Sequence, residues 1–280
     1  GISGLLGVAF AIAQHDLKRL LAYHSVENIG IILLGLGVAL LGRSAGQPKW
    51  VVLGLAGCLL HVWDHVLFKS LLFLSAGAVV HTAHTRQIDS LGGLAKSMPW
   101  TAAMFVTGAV AICGLPPLNG FISELLVYFG LLDVVMIRHS VLAVVAVAAL
   151  AMIGALALAC FVKVYGAVFL GNARTEASAQ ARECPWIMRI PMMVLALCCA
   201  VIGLAPMLII PLLDRAIARW ILAPATPMTS IGAVVSLNPV SLMSVALVFL
   251  VVSIAALMNV LHPFSRNVGT WDCGYARPTP

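Results

Sequence analysis

Residues 99–138 read PWTAAMFVTGAVAICGLPPLNGFISELLVYFGLLDVVMIR. Two apolar runs, 99–115 and 118–136, meet at GLPPLNG, residues 114–120. Pro116 and Pro117 have no N–H to give a helical ladder, so a helix must stop there. The fold turns on what the stop means. The two runs are either two membrane crossings or one crossing broken at mid-membrane.

A membrane is the setting because the rest of the chain demands one. Of 280 residues, 62% are hydrophobic and 9% charged, whereas a soluble domain is nearer half apolar and a quarter charged. Mean hydropathy is +1.07. Further apolar segments fall at 1–14, 20–41, 50–80, 140–170, 188–213 and 238–261. Between them lie HDLKR (15–19), GRSAGQPK (42–49), HTAHTRQIDSLGGLAKSMP (81–99) and GNARTEASAQARECPW (171–186). Spanning takes about 20 residues. The run 1–14 is therefore expected to be the later part of a helix that begins before Gly1, in a chain that is a piece of something longer. It has no basic n-region and no cleavage site, so it does not read as a signal peptide. The stretch Asp214–Pro239 carries Pro224, Pro227 and Pro239 and reads as an amphipathic or loop connection. The terminal RNVGTWDCGYARPTP is polar.

Basic residues arbitrate at the Pro-Pro break, because loops on the cytoplasmic side carry an excess of Lys and Arg. Let the HDLKR loop define side one. Two crossings would place Lys18, Arg19, Arg86, Lys96, Arg138, Arg215 and Arg219 on side one. Arg43, Lys49, Arg174, Arg182, Arg189, Arg266 and Arg277 would face side two, seven against seven. One broken helix keeps Lys18, Arg19, Arg86, Lys96, Arg174, Arg182, Arg189, Arg266 and Arg277 on side one. Side two then holds Arg43, Lys49, Arg138, Arg215 and Arg219, nine against five, with side one cytoplasmic. The expected fold is an all-α polytopic membrane bundle of about seven transmembrane helices, with the first truncated and the fourth broken. Three regions follow: 1–170, then 171–262 with the later helices and the amphipathic connection, then a polar tail at 263–280.

Inside the third apolar segment, residues 60–71 read LHVWDHVLFKSL. A charged side chain at a bilayer centre costs roughly 2.5–3.5 kcal/mol on insertion scales. Four titratable groups there need a reason. His61, His65 and Lys69 recur every four residues and so lie near one stripe of a helix, about 12 Å from end to end. Asp64 stands one turn after His61. A column of groups that change charge in the membrane is what a proton relay needs. The H-x-x-x-H spacing can also hold a metal or haem, and a polar cluster can simply join helices.

Glu124 follows the break in FISELLVYF and falls in the first turns of the second half-helix if that begins at Asn119 or Gly120. There the helix dipole favours an anion, although a carboxylate that only caps or packs fits as well. Glu27 either reaches the interface or stays buried and pairs with a lysine. Lys163 either snorkels or joins the polar set. His24 and His81 fall close to interfaces, and Asp133 near a helix end reads as solvated.

The seven cysteines form no C-x-x-C and no cluster-ligand spacing, so redox chemistry, if any, belongs to another chain. No nucleotide-binding loop or nucleophile–base pattern occurs. The scattered basic loops, in a chain of net charge +6, suit anionic lipid rather than nucleic acid.

QHDLKRLLAYHSVENIGIILLGLG (14–37), HVWDHVLFKSLLFLSAGAVVH (61–81) and GLPPLNGFISELLVY (114–128) together resemble the antiporter-like proton-translocating membrane subunits of complex I and of Mrp-type cation/proton antiporters. Glu27 in HSVENIG and the terminal TWDCGY point to the hydrogenase-4 component B and formate hydrogenlyase subunit 3 branch. The likeness is strong over 1–170 and returns at 270–275; 188–261 is similar in hydropathy more than in motif. It implies two inverted five-helix repeats, of which this chain resembles the second plus C-terminal helices. Under it, Lys69 is similar to a central lysine, His61 and His65 to its relay partners, and Glu124 to the terminal proton-site residue of a broken helix. The first repeat's Glu–Lys pair has no counterpart here. The resemblance further implies a non-catalytic subunit of a membrane oxidoreductase that translocates protons, or alternatively sodium, in a bacterial or archaeal cytoplasmic membrane. Its partners would be other membrane subunits and peripheral hydrogenase subunits, which would carry the nickel–iron and iron–sulfur centres. An antiporter subunit without a redox partner and a non-pumping anchor are the competing readings.

Overall fold

The computed structural model describes residues 1–221 and 230–261. Twelve helices occur among them: α1 (Ile2–Ile12), α2 (Leu17–Ser44), α3 (Pro48–Ala83), α4 (Leu94–Ser97), α5 (Pro99–Ile112), α6 (Asn119–Arg138), α7 (Val141–Phe169), α8 (Glu176–Gln180), α9 (Trp186–Leu204), α10 (Ile210–Trp220), α11 (Ile231–Val234) and α12 (Asn238–Leu261). Six of them, α2, α3, α6, α7, α9 and α12, are long and apolar enough to cross a membrane. The chain is thus an all-helical membrane bundle among the described residues.

Helix α3 is the axis. Its 36 residues begin with Pro48 at the first turn, where the missing N–H costs nothing, and end at His84 in the left-handed region (φ 54°). Helix α2 is capped by Asp16, whose carboxylate accepts from the Arg19 amide at 3.0 Å. The two helices run antiparallel with backbones in contact. A Cβ on Gly54 would stand 2.4 Å from the Ala39 nitrogen, so only glycine fits. Small residues at such seams let transmembrane helices approach closely.

The break has a defined chemistry. At the end of α5, Gly114 takes φ +60°, the Leu115 amide donates to Val110 O at 3.2 Å, and the Gly114 amide to Ala111 O at 3.2 Å. This pair of bonds around a left-handed glycine is a Schellman cap, and the prolines that follow forbid continuation. Helix α6 then starts at Asn119 with no side-chain cap.

Contacts along α3 show that α5 and α6 form one crossing. The Thr82 hydroxyl meets Met98 Sδ at 3.2 Å, Gly108 faces Leu72, Asn119 meets Asp64, Ser123 meets His61, and Asp133 meets Lys49 and Trp50. The register descends without reversal from one end of α3 to the other. The sides agree with the charge count. The Leu17 amide donates to Arg86 O at 2.9 Å and an Arg174 guanidinium N–H to Ile88 O at 3.3 Å, so these loops share one face. At the other end, Arg138 lies over Trp50 and Arg43 over Trp220.

Glu183, in the side-one loop after α7, caps α5. Its carboxylate accepts from the Trp100 amide at 2.7 Å, the Thr101 amide at 3.2 Å and the Thr101 hydroxyl at 2.6 Å. Partial burial alone would raise this carboxyl, but the hydrogen bonds from Thr101, Cys184 and Trp100 outweigh it and hold the group below the usual carboxylate range.

Two expectations need correction. The run 188–213 is not one helix: α9 ends at Leu204 and α10 begins at Ile210, because Pro206 cannot continue the ladder. Helix α10 is amphipathic, burying Ile210, Leu213 and Ile217 against the start of α3. Asp133 is only partly exposed and is not left to solvent. Lys49 Nζ donates to it at 2.5 Å and Trp50 Nε1 at 2.7 Å, tying α6 to α3. The TWDCGY motif at 270–275 and the tail 263–280 lie outside the described residues.

Candidate functional site: a buried polar run across three helices

The site is a line of polar side chains in an apolar interior. His24, Glu27, Asn28, His61, Asp64, Lys69, Asn119, Ser123 and Glu124 are all buried. Membrane interiors keep such residues only where they find partners or do work.

On α2, His24, Glu27 and Asn28 share one face, at spacings of three and four. His24 Nδ1 pairs with the Glu27 carboxylate, its Nε2 lies 3.4 Å from Cys160 Sγ, and its ring stacks on Phe161. Asn28 Nδ2 donates to His24 O at 2.7 Å, which turns Asn28 Oδ1 outward toward α3. Glu27 is 1% exposed because α1 covers it: a Cβ on Gly7 would stand 2.6 Å from the Glu27 nitrogen. Its hydrogen-bond partner is therefore His24, with the Lys69 ammonium near enough to feel its charge. His24, about two turns from the start of α2, is wholly buried among the helices.

His61 links the helices. Its Nε2 lies 3.1 Å from Asn28 Oδ1 and its Nδ1 2.9 Å from Ser123 Oγ. Because Asn28 Oδ1 only accepts, His61 Nε2 carries a hydrogen and donates. Nδ1 then has two satisfied states. In neutral His61 it accepts from the Ser123 hydroxyl. In protonated His61 it donates to Ser123 Oγ, and the hydroxyl turns to Gly120 O, 3.1 Å away. Both ring nitrogens of His61 thus find a hydrogen-bond partner in either protonation state.

Lys69 lies two turns further along α3. Its ammonium donates to Leu21 O and sits 5.6 Å from the centre of the Phe73 ring. His65, between His61 and Lys69, is half-buried, meets Phe68 edge-on at 5.7 Å, and has a buried Nε2 with no hydrogen-bond partner. The predicted stripe is therefore real but uneven: His61 and Lys69 both reach α2, and His65 does not.

Asp64 faces the break, where Asn119 Nδ2 donates to its Oδ1 at 3.0 Å. Glu124 points back along α6 onto Gly114, at the end of the first half-helix. It lines a cavity of about 310 Å³ with Cys113, Tyr128, Ala151 and Gly154, between the break and α7. Lys163 stands apart. It is exposed, and its Nζ donates at 2.9 Å to Ile12 O, the last carbonyl of α1. There a cation suits the helix dipole.

The chain matches the NADH:quinone oxidoreductase/Mrp antiporter transmembrane family over residues 1–154. It is 40% identical to hydrogenase-4 component B of Escherichia coli K12, over 98% of this chain and 43% of that protein. It is 38% identical to formate hydrogenlyase subunit 3 of the same organism, over 98% of this chain and 45% of that one. It is similar in structure to a chain of the archaeal membrane-bound sulfane sulfur reductase, a respiratory membrane complex, with a TM-score of 0.75, 25% identity, and coverage of 98% of this chain and 42% of that one. The chain spans less than half the length of each of these relatives. With a match over more than half of its residues and the broken crossing in place, the chain belongs to the NADH:quinone oxidoreductase/Mrp antiporter transmembrane family.

Proposed function

We propose that this chain is the proton-carrying part of a membrane subunit in a hydrogenase- or formate hydrogenlyase-like complex. It couples redox turnover in partner subunits to movement of protons across a bacterial or archaeal cytoplasmic membrane, with side one cytoplasmic. Nickel–iron and iron–sulfur centres belong to those partners. The reading is supported by similarity to the two Escherichia coli subunits over 98% of the chain.

One observation carries it. Asn28, His61 and Ser123 form a side-chain hydrogen-bonded run from α2 through α3 to α6, and Asn28 is tied through the main-chain carbonyl of His24 to the His24–Glu27 pair, inside the membrane-spanning bundle. Lys69 joins at Leu21 O, one turn from His24, and Glu124 follows Ser123 on the side facing the cavity. In this account Lys69, His61 and His65 pass the charge along α3, Glu27 sets the field around them, Asp64 holds a proton beside the break, and Glu124 exchanges protons toward the cavity. Both ring nitrogens of His61 are taken by side chains, which favours a relay over a metal pair for the H-x-x-x-H spacing. Lys163 serves α1 instead.

The test uses the full-length subunit in its complex, in inverted membrane vesicles. Lys69→Ala is expected to abolish substrate-driven acidification while hydrogen turnover and assembly persist. Unchanged acidification would assign the run a structural role.

A further inference from the structure

Asp64 and Asn119 present an unbalanced pair. Asn119 Nδ2 donates to Asp64 Oδ1 at 3.0 Å, and both side chains are fully buried. Asp64 Oδ2 and Asn119 Oδ1 are buried and have no hydrogen-bond partner. Among the described residues, only His65 Nε2 shares that condition. Two of three unpartnered atoms thus belong to two side chains already joined.

A carboxyl group and an amide linked by one N–H···O bond can close a second bond between their remaining oxygens only if one of those oxygens carries a hydrogen. If the carboxyl is ionised, both oxygens are acceptors, they repel, and each lacks a donor. One proton on Oδ2 resolves both deficits, giving O–H···O beside N–H···O. Nor does a cation compensate a charge at this position. The ion pairs among the described residues join His15 to Asp89, His24 to Glu27, Lys49 to Asp133 and Arg86 to Asp16. A buried unpaired carboxylate is costly and tends to neutralise.

The titratable groups around Asp64 do not alter this. On its own helix are His61, held by Asn28 and Ser123, and His65. From α6 come Glu124 and the Ser123 hydroxyl, which lies within reach of the Asp64 carboxyl but whose one hydrogen goes to His61 or to Gly120 O, and from α9 comes the Cys199 thiol beside Asn119.

We infer that Asp64 rests as a protonated acid donating to Asn119 Oδ1, so that one stored proton clamps the first residue of α6 to the middle of α3. Loss of that proton sets oxygen against oxygen at the uncapped start of α6, beside the break. The break thus senses the proton occupancy of Asp64. This assigns a resting protonation state and a mechanical consequence, and it holds whether or not the complex pumps.

Infrared spectroscopy of the intact complex at neutral pH, with isotope-labelled aspartate, tests it. The native protein is expected to show a carbonyl-stretch band of a protonated carboxylic acid that shifts in deuterium oxide and is lost in Asp64→Asn. In Asn119→Leu the band is expected to persist and move, because the acid has lost its amide partner. That variant also covers the case in which Asp64→Asn fails to assemble. A native spectrum without such a band, or a band unmoved by the substitution at position 119, would overturn the assignment.

Discussion

Ser123 Oγ and His61 Nδ1 stand 2.9 Å apart across the contact between α6 and α3. The hydroxyl has a second acceptor, Gly120 O, at 3.1 Å. This makes Ser123 a rotor that answers the charge of His61. In Ser123→Ala, neutral His61 loses the donor to Nδ1 and protonated His61 loses its acceptor. Leaving one such buried group unpaired costs about 1–3 kcal/mol. Acidification by vesicles carrying Ser123→Ala is expected to slow severalfold, with Ser123→Thr restoring it. Equal rates in all three would show that the hydroxyl is idle.

Gly114 admits no side chain. Its φ is +60°, and an added Cβ would fall 2.6 Å from a Glu124 carboxylate oxygen. A left-handed backbone costs a non-glycine residue roughly 1–2 kcal/mol. Gly114→Ala is expected to lower the thermal stability of the detergent-purified complex and to displace Glu124. Serine at 114 should behave as alanine does. Native stability and native acidification in Gly114→Ala would contradict this reading of the break.

Glu183 gives a pH dependence outside the membrane. Its carboxyl is held below its ordinary value in the folded chain, so ionised Glu183 favours folding. That contribution is present above the ordinary carboxylate range and disappears as pH falls through the depressed value. Glu183→Gln is expected to cost about 1 kcal/mol near neutrality, as loss of a helix cap does. Melting curves taken at decreasing pH should converge for native and variant. Curves that stay parallel to the lowest pH would exclude the cap as the cause.

Lys163 is the contrast. It is exposed and bonds to the end of α1. Lys163→Met is expected to leave the acidification rate within about twofold of native and to reduce stability slightly, on the scale of a helix-dipole contact of about 0.3–1 kcal/mol. Loss of acidification with full assembly would return Lys163 to the proton path.

Much of this was legible in residues alone, for definite reasons. The Gly114-Leu115-Pro116-Pro117 sequence carries a cap and a stop, and the loop charges choose one crossing over two. His61, Lys69 and Asp64 announce themselves because a polar residue inside an apolar run is expensive. Their partners are quieter. Asn28 and Ser123 are uncharged, and nothing in the chain says that α2 and α6 approach α3 at those heights. His24 could have been found by asking which residues share the face of Glu27, since spacings of three and four place them together. Nothing in the sequence marks α1 as the element that closes over that face. Asp133 looked terminal on its own helix, yet the antiparallel register of α3 and α6 delivers Lys49 and Trp50 to it. The division of 188–213 falls at Pro206, whereas Pro191 sits inside α9 and Pro211 in the first turn of α10, so the prolines alone do not mark it.

The central claim is that His61 works by changing charge, not by filling space. His61→Gln keeps a side chain able to donate to Asn28 and to meet Ser123, but it cannot titrate. The decisive measurement is the number of protons moved per hydrogen molecule turned over, in vesicles containing the complete complex. The account predicts that this ratio collapses in His61→Gln while turnover and assembly remain. A native ratio in His61→Gln would contradict it and leave the buried run as a joint between helices.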